Sequence, residues 1–231
     1  MSWRKDSTPG DLNPYKPPME LVYSKARRRL ESEELSDREL ALAARTGDMV
    51  SFEALVSRKT AAVVSVARRI VSDAEDARDV AQLVFLRVWE QLDRYDEKYS
   101  FNTWIYRIAT NLAIDFLRSS RSRQRAHGAI LHVVRRREEA TGGETSRAAE
   151  DADVARIFRQ ASERLSGKQK AAFVLREMED KDTSEIAQIL GCGESTVRNH
   201  LFNARRILRR EIEKICPGLL RSTSAARKEK P

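Results

Sequence analysis

Two cysteines, Cys192 and Cys216, are all the chain holds in 231 residues, and no CxxC pair occurs. A disulfide framework and a cysteine-ligated zinc site are therefore both excluded. Histidine is as scarce: His127, His132 and His200 are scattered and make no HExxH or similar spacing, so no metal ligand set is read. No apolar run approaches the roughly 18 residues that span a bilayer, and the N-terminus lacks the apolar core of a signal peptide. These absences predict a soluble, cytoplasmic protein without membrane insertion. Strand-type alternation is missing throughout, which leaves an all-α fold. No phosphate-binding loop, GxSxG motif or paired metal ligands appear, so neither an enzyme nor a cofactor is expected.

What is plentiful is charge. Charged residues make up 34% of the chain, the formal net charge is +8 and the pI about 9.7. That balance favours a polyanionic partner, without distinguishing DNA, RNA and an anionic membrane surface. A hydrophobic fraction of 41% over this length suffices for one or two domains with their own cores.

Residues 1 to 33 carry Pro9, Pro14, Pro17, Pro18 and the cluster Arg27-Arg28-Arg29 with no sustained apolar period, and read as a flexible arm. Ser36-Asp37-Arg38-Glu39 is a capping-box pattern opening a helix that stops at Gly47-Asp48. A second helix is expected over Met49 to Arg58 and a third over about Ala61 to Val71. Ser72-Asp73-Ala74-Glu75 repeats the capping-box pattern before a long helix to about Tyr95, with Val80, Leu83, Val84, Leu86, Val88 and Leu92 as its apolar positions. These segments predict a helical domain over 34 to 122.

From Arg118 to Arg137 there are seven arginines and no acid, and from Glu138 to Asp153 six acids and only Arg147. This abrupt change around Gly142-Gly143 predicts a flexible linker over 123 to 149, with a helical turn conceivable at Ala129 to Val134. A second domain is expected over 150 to 216. It opens on an amphipathic helix with Val154, Ile157, Phe158, Ala161 and Leu165 and continues through the capping box Ser166-Gly167-Lys168-Gln169 into a helix burying Ala172, Phe173, Leu175 and Met178. A basic tail, 217 to 231, follows.

Within the first domain, Phe101 to Arg118 shows two faces at helical spacing. Phe101, Trp104, Ile105, Ile108, Leu112 and Phe116 make a core stripe; Thr103, Arg107, Thr110, Asn111 and Arg118 make a polar one. Arginine can hold phosphate and asparagine can bond base edges, although a solvated face on a buried helix accounts for the pattern equally well. Within the second domain, Asp182-Thr183-Ser184-Glu185 caps a short helix, Gly191-Cys192-Gly193 breaks it, and a longer helix runs from Glu194 to about Glu213. Short helix, glycine turn and longer helix is the arrangement of a DNA-reading helix-turn-helix. Ala187 must be small at the crossing and Gly191 takes the left-handed turn. Val197, Leu201, Ala204 and Leu208 form the buried stripe. Arg198, Asn199, Phe202, Arg205 and Arg206, with Ser195 and Thr196 at the start, form the face turned to DNA.

The two halves together resemble the compact extracytoplasmic-function (ECF) group of bacterial RNA polymerase sigma factors. Asp79-Val80-Ala81-Gln82-Leu83-Val84-Phe85-Leu86-Arg87-Val88-Trp89 is similar to that family's polymerase-binding helix, Phe101 to Arg118 to its promoter-melting helix, and Ile186 to Leu208 to its reader of the upstream promoter element. The resemblance implies a sigma factor that binds core RNA polymerase and promoter DNA, with an anti-sigma factor as a further partner. It implies polymerase docking by Asp79, Gln82, Leu83, Leu86 and Arg87, with Phe85, Val88 and Trp89 filling the core. It places a base-flipping pocket at the Asp96 to Ser100 loop with Asn111 facing it. Tyr99 and Tyr106 would be the stacking groups, Thr103 part of the polar stripe, Arg107 and Arg118 the phosphate holders and Trp104 structural. The chain departs from the family pattern at Leu83, where an acid is usual, and at Cys192-Gly193, where an aliphatic residue and proline are frequent. A sigma-mimicking regulator that binds an anti-sigma protein without reading DNA, or a helix-turn-helix repressor, are the alternative readings. The first has no need of two basic faces, the second none of the Asp79 to Trp89 segment.

Overall fold

The computed structural model describes residues 34–127 and 146–217. The N-terminal arm, most of the expected linker with the turn at Ala129 to Val134, and the tail after Pro217 lie outside the described residues. Every regular element among the described residues is helical. The chain divides into two compact units, Met1–Ser57 and Arg58–Pro231.

In the first unit, α1 (Asp37–Arg45) starts at the expected capping box. The Ser36 hydroxyl accepts from the Glu39 N–H at 3.3 Å, and the Glu39 carboxylate accepts from the Ser36 N–H at 2.8 Å. Gly47, at φ +96°, reverses the chain in a conformation that other residues adopt only under strain. Asp48 then caps the start of α2 (Met49–Val71), accepting from the Val50 N–H at 3.1 Å and the Ser51 hydroxyl at 2.7 Å. Among the described residues of this unit, Leu40, Ala41, Ala44 and Leu55 are the buried apolar ones. The sequence predicts a break between Arg58 and Ala61, but α2 is one continuous helix. Lys59 and Thr60 interrupt the apolar period without supplying a glycine or proline, so nothing there stops a helix.

The second unit contains the rest of α2 from Arg58 onward, α3 (Ala74–Glu90), a 3-10 turn at Leu92–Arg94, α4 (Phe101–His127), α5 (Ser146–Ser162), α6 (Gly167–Glu177), α7 (Thr183–Leu190) and α8 (Glu194–Ile215). The cap of α3 falls one residue later than the Ser72 box predicts. Asp73 accepts from the Glu75 and Asp76 N–H groups at 3.0 and 2.9 Å, while Ser72 takes the turn at φ +71°. A carboxylate out-competes the neighbouring hydroxyl for N–H donors at a helix start. The capping boxes at Ser166 and Asp182 both form, and Gly191 adopts the left-handed C-cap. The helix boundaries of the linker shift: α4 runs to His127 and α5 begins at Ser146.

Ala77, Val80, Ala81, Val84 and Val88 of α3 are buried and face α4. Ala161, Leu165, Ala204 and Leu208, flanked by Phe158 and Phe173, make the core joining α5, α6 and α8. Val154, assigned to that core by its spacing, is instead 66% exposed, because α5 begins beyond the reach of its partners there. The region-spanning contact is between α4 and the pair α6–α7. Helix α4 is therefore buried along two faces rather than one, and Thr103 and Thr110 of the expected polar stripe are buried with it. Thr110 is satisfied locally, donating to the Tyr106 carbonyl at 2.7 Å.

Candidate nucleic-acid interface

The turn Gly191–Gly193 sets the start of α8, whose stripe Val197, Leu201, Ala204 and Leu208 is buried. Helical spacing then forces Ser195, Thr196, Arg198, Asn199, Phe202, Arg205 and Arg206 outward, and all seven are exposed, Phe202 at 64%. An exposed phenylalanine on a basic surface has no core to fill and is available to an apolar group on a ligand. Arg198 pairs with Glu194 at 3.2 Å, and Arg205 with Glu177 at 2.5 Å. These are solvent-exposed pairs of small net value, so both arginines can exchange a carboxylate for a phosphate at little cost. The Asn203 amide donates to the Asn199 side-chain oxygen at 2.7 Å, turning the Asn199 NH2 outward as a donor.

Around this face lies an open groove of about 590 Å³ lined by Arg176, Thr183, Arg198, Leu201, Phe202, Arg205, Arg206 and Arg209. Arg176, Thr183 and Arg209 are absent from the sequence-derived set. Arg209 follows Arg205 by one turn and periodicity could have found it. Arg176 and Thr183 come from α6 and the start of α7, and only the fold brings them to the groove.

On α3, Asp79, Gln82, Leu83, Leu86 and Arg87 all face solvent, with Leu83 51% and Leu86 55% exposed. Trp89, expected in the core, is 38% exposed and joins this apolar strip; Val88 is buried and Phe85 half-buried. The difference is one of angle: Val80, Val84 and Val88 already occupy the core-facing line, and Trp89 lies 100° beyond it.

The loop before α4 is tightly ordered. Tyr95 OH donates to the Tyr99 carbonyl at 3.0 Å, and the Ser100 hydroxyl accepts from the Thr103 N–H at 3.1 Å. The Tyr95, Phe101 and Trp104 rings pack with centroids 5.3 to 5.7 Å apart, so Trp104 is structural as expected. Tyr99, at 46% exposure, remains open to a ligand. Tyr106 does not: it is 8% exposed, and its hydroxyl donates to Glu179 at 3.1 Å. Burial first, then the Glu179 carboxylate, pushes its phenol up to about 12. Thr103, likewise expected on the open stripe, is 8% exposed and its hydroxyl pairs with Ser100. Arg107, Asn111 and Arg118 are exposed. Tyr99, Thr103, Trp104 and Arg107 share one wall of a cleft of about 580 Å³, but Asn111 is not on it. Asn111 stands ten residues along α4 from its first residue, Phe101, about 15 Å of helical rise.

Residues 55–123 match Sigma-70 region 2 and residues 155–208 match Sigma-70, region 4. The ECF RNA polymerase sigma-E factor of Haemophilus influenzae is 30% identical over 192 residues, covering 79% of this chain and 98% of the relative. That of Escherichia coli K12 is 28% identical over 188 residues, covering 79% and 97%. Among solved structures, CnrH in complex with the cytosolic domain of CnrY has a TM-score of 0.56 at 25% identity, covering 77% of this chain and 97% of that one. The sigma factor RpoE in complex with the anti-sigma factor NepR from Bartonella quintana has a TM-score of 0.51 at 20% identity, covering 70% and 96%, and speaks to the fold alone. With both sigma regions present in order on an all-helical fold, and a relative of this identity matched over nearly its full length, the chain belongs to the ECF group of RNA polymerase sigma factors, which direct transcription initiation at promoters.

Proposed function

We propose that the chain carries out this role without catalysing a reaction, in the cytoplasm, through three surfaces. The exposed Asp79, Gln82, Leu83, Leu86 and Arg87 strip docks on core RNA polymerase, with Trp89 added to it. The Arg198, Asn199, Phe202, Arg205 and Arg206 face of α8, starting at Ser195 and Thr196, reads the upstream promoter element. Tyr99, Arg107, Asn111 and Arg118 engage the strand that separates, Tyr99 by stacking and Asn111 on a nucleotide beyond the loop. Flipping a base costs a few kcal/mol, which stacking on Tyr99 and phosphate contacts from the arginines offset. A regulatory protein of the anti-sigma type is the further partner we propose; the support is CnrH, itself seen with the cytosolic domain of CnrY.

The observation that carries this reading is the α8 groove, where five arginines surround an exposed phenylalanine on a helix packed as a helix-turn-helix reader. Transcription reconstituted from core polymerase and a promoter library tests it: specific initiation that requires this chain is the expected result. Arg198→Ala or Asn199→Ala is expected to change which upstream elements are used, at about 1 to 3 kcal/mol per lost base contact. Arg205→Ala instead weakens all sequences alike and reduces the salt slope by about one. Promoter choice and salt slope both unchanged in all three variants would remove α8 as the reader. Asn111→Ala is expected to lower opening of duplex promoters, read by permanganate reactivity, with recovery on a pre-melted template. Equal loss on both templates would take it out of strand separation.

A further inference from the structure

We propose that Asn203 is a positioning residue for promoter choice, an assignment that rests on the reading role of α8 proposed above. It fixes the Asn199 amide with its NH2 toward DNA, so that the base Asn199 meets is a guanine.

Asn199 and Asn203 are four residues apart on α8 and therefore neighbours on one side of the helix. The Asn203 Nδ2 donates to the Asn199 main-chain carbonyl at 3.0 Å and to the Asn199 Oδ1 at 2.7 Å. A main-chain carbonyl oxygen only accepts, so the Asn203 atom facing it must be the amide nitrogen. That nitrogen has two hydrogens, and these two acceptors take both. The Asn199 amide is fixed in turn: turned over, it would set its own NH2 against that of Asn203, donor against donor. Asn203 is half-buried and Asn199 exposed, so the inner amide directs the outer one.

This orientation selects among bases. An asparagine free to turn presents oxygen and nitrogen side by side and pairs with adenine, accepting from N6 and donating to N7. Here the oxygen is turned back along the helix toward Asn203. The NH2, which makes no hydrogen bond among the described residues, is what remains to meet a base. Guanine presents two adjacent acceptors, N7 and O6, in the major groove, and a group with two hydrogens serves both. Adenine sets one acceptor beside an NH2 that opposes the one on Asn199, cytosine offers only a donor, and thymine offers one acceptor next to a methyl group. Asn199 stands in the second turn of α8, in the N-terminal part by which a reading helix reaches base edges, and Asn203 lies one turn farther on.

The test is transcription by core polymerase with the full chain, on templates whose upstream element is varied one base pair at a time. Asn199→Ala identifies the position that Asn199 reads, as the one whose preference it flattens. At that position the parent is expected to prefer a G·C pair. Replacing its guanine with 7-deazaguanine, which lacks the N7 acceptor but still pairs with cytosine, should lower initiation and show which strand is read. Asn203→Ala frees the amide, and the preference should move from guanine to adenine by about tenfold, the scale on which one well-placed base contact discriminates. Asn203→Asp can only accept, so it takes the Asn199 NH2, turns the oxygen to the DNA and should favour a base that donates, cytosine or adenine. Preferences at the other positions should stay as in the parent, which separates a turned amide from a damaged helix; a shift at every position would overturn the proposal. So would an A·T preference in the parent, guanine retained by either Asn203 variant, or guanine lost without a gain of adenine or cytosine. Were Asn199→Ala to flatten no position, the reading role of that residue would fail first, and the positioning role with it.

Discussion

Leu86→Asp is expected to remove polymerase binding while leaving the protein folded. The side chain is 55% exposed on α3, beside Leu83 at 51% and Trp89 at 38%, while the other large apolar groups among the described residues are mostly buried. An apolar strip of this kind, rimmed by Asp79, Gln82 and Arg87, is the composition of an interface centre with a polar margin. A carboxylate placed at its middle must be desolvated on docking with no partner supplied. Truncations at such centres cost about 2 to 4 kcal/mol, which is a factor of roughly 30 to 1000 in affinity, and an unpaired charge falls at the upper end. Because Val80, Val84 and Val88 hold α3 to the core on the opposite side, stability should change by no more than about 0.5 kcal/mol. Competition binding to core polymerase measures the first effect and thermal melting the second. Val84→Asp is the contrasting control, since a charge at a fully buried position should unfold the domain. Polymerase affinity unchanged by Leu86→Asp, in a folded protein, would place docking elsewhere on the chain.

The parts legible in the sequence were those that depend on local chemistry. Ser36, Ser166 and Asp182 each carry an acid or amide three residues on, and each forms the reciprocal cap that this spacing predicts. The α8 stripe was equally plain, because one helix with one buried side obeys a single period, and Gly191 marked its turn by the only kind of residue that adopts φ +61° freely. Helix α4 was read less well for the same reason. A period finds one core face, whereas α4 lies between α3 and the α6–α7 pair, so Thr103 and Thr110, which looked like part of an open stripe, and Tyr106, expected as a stacking group, are buried. Tyr106 was the residue most distorted by this: its hydroxyl satisfies Glu179, 73 positions away, and no spacing rule connects them. Trp89 erred in the opposite sense, since a large aromatic beside Val88 looks like core until the helix angle is known. Arg176 illustrates the remaining limit, a groove residue supplied by a helix that does not read the groove.

Replacing Lys170 with methionine is expected to stabilise the protein, and to do so less and less as the pH is raised. Lys170 is 3% exposed on α6, with the Ser72 hydroxyl as its hydrogen-bond partner. Burial, reinforced by the nearby Arg121 and only partly opposed by Glu163, lowers its ammonium from 10.5 to about 8. The folded protein therefore releases this proton before the unfolded chain does. Below pH 8 both states hold it and the full cost of the buried charge is present; between pH 8 and 10.5 the folded state is neutral while the unfolded state is still charged, so stability rises with pH. A displacement of this size corresponds to about 3 kcal/mol, an upper value because the charge keeps one good partner. Tyr106 closes the window from above. Held up to about 12 in the fold against 10.0 in the free chain, it makes the unfolded state the first to lose its proton beyond pH 10, and stability falls again there. The wild-type protein should thus pass through a stability maximum near pH 10 that Lys170→Met lacks on its rising side. At pH 7 the variant, which buries a methylene chain of similar length without the charge, should be more stable by about 1 to 3 kcal/mol. Denaturant unfolding of both proteins from pH 7 to 10 measures the difference directly, and the other titrations cancel in the comparison. A gap that stays constant across that range would mean that Lys170 keeps its proton in the folded state, and that the Ser72 contact compensates its burial in full.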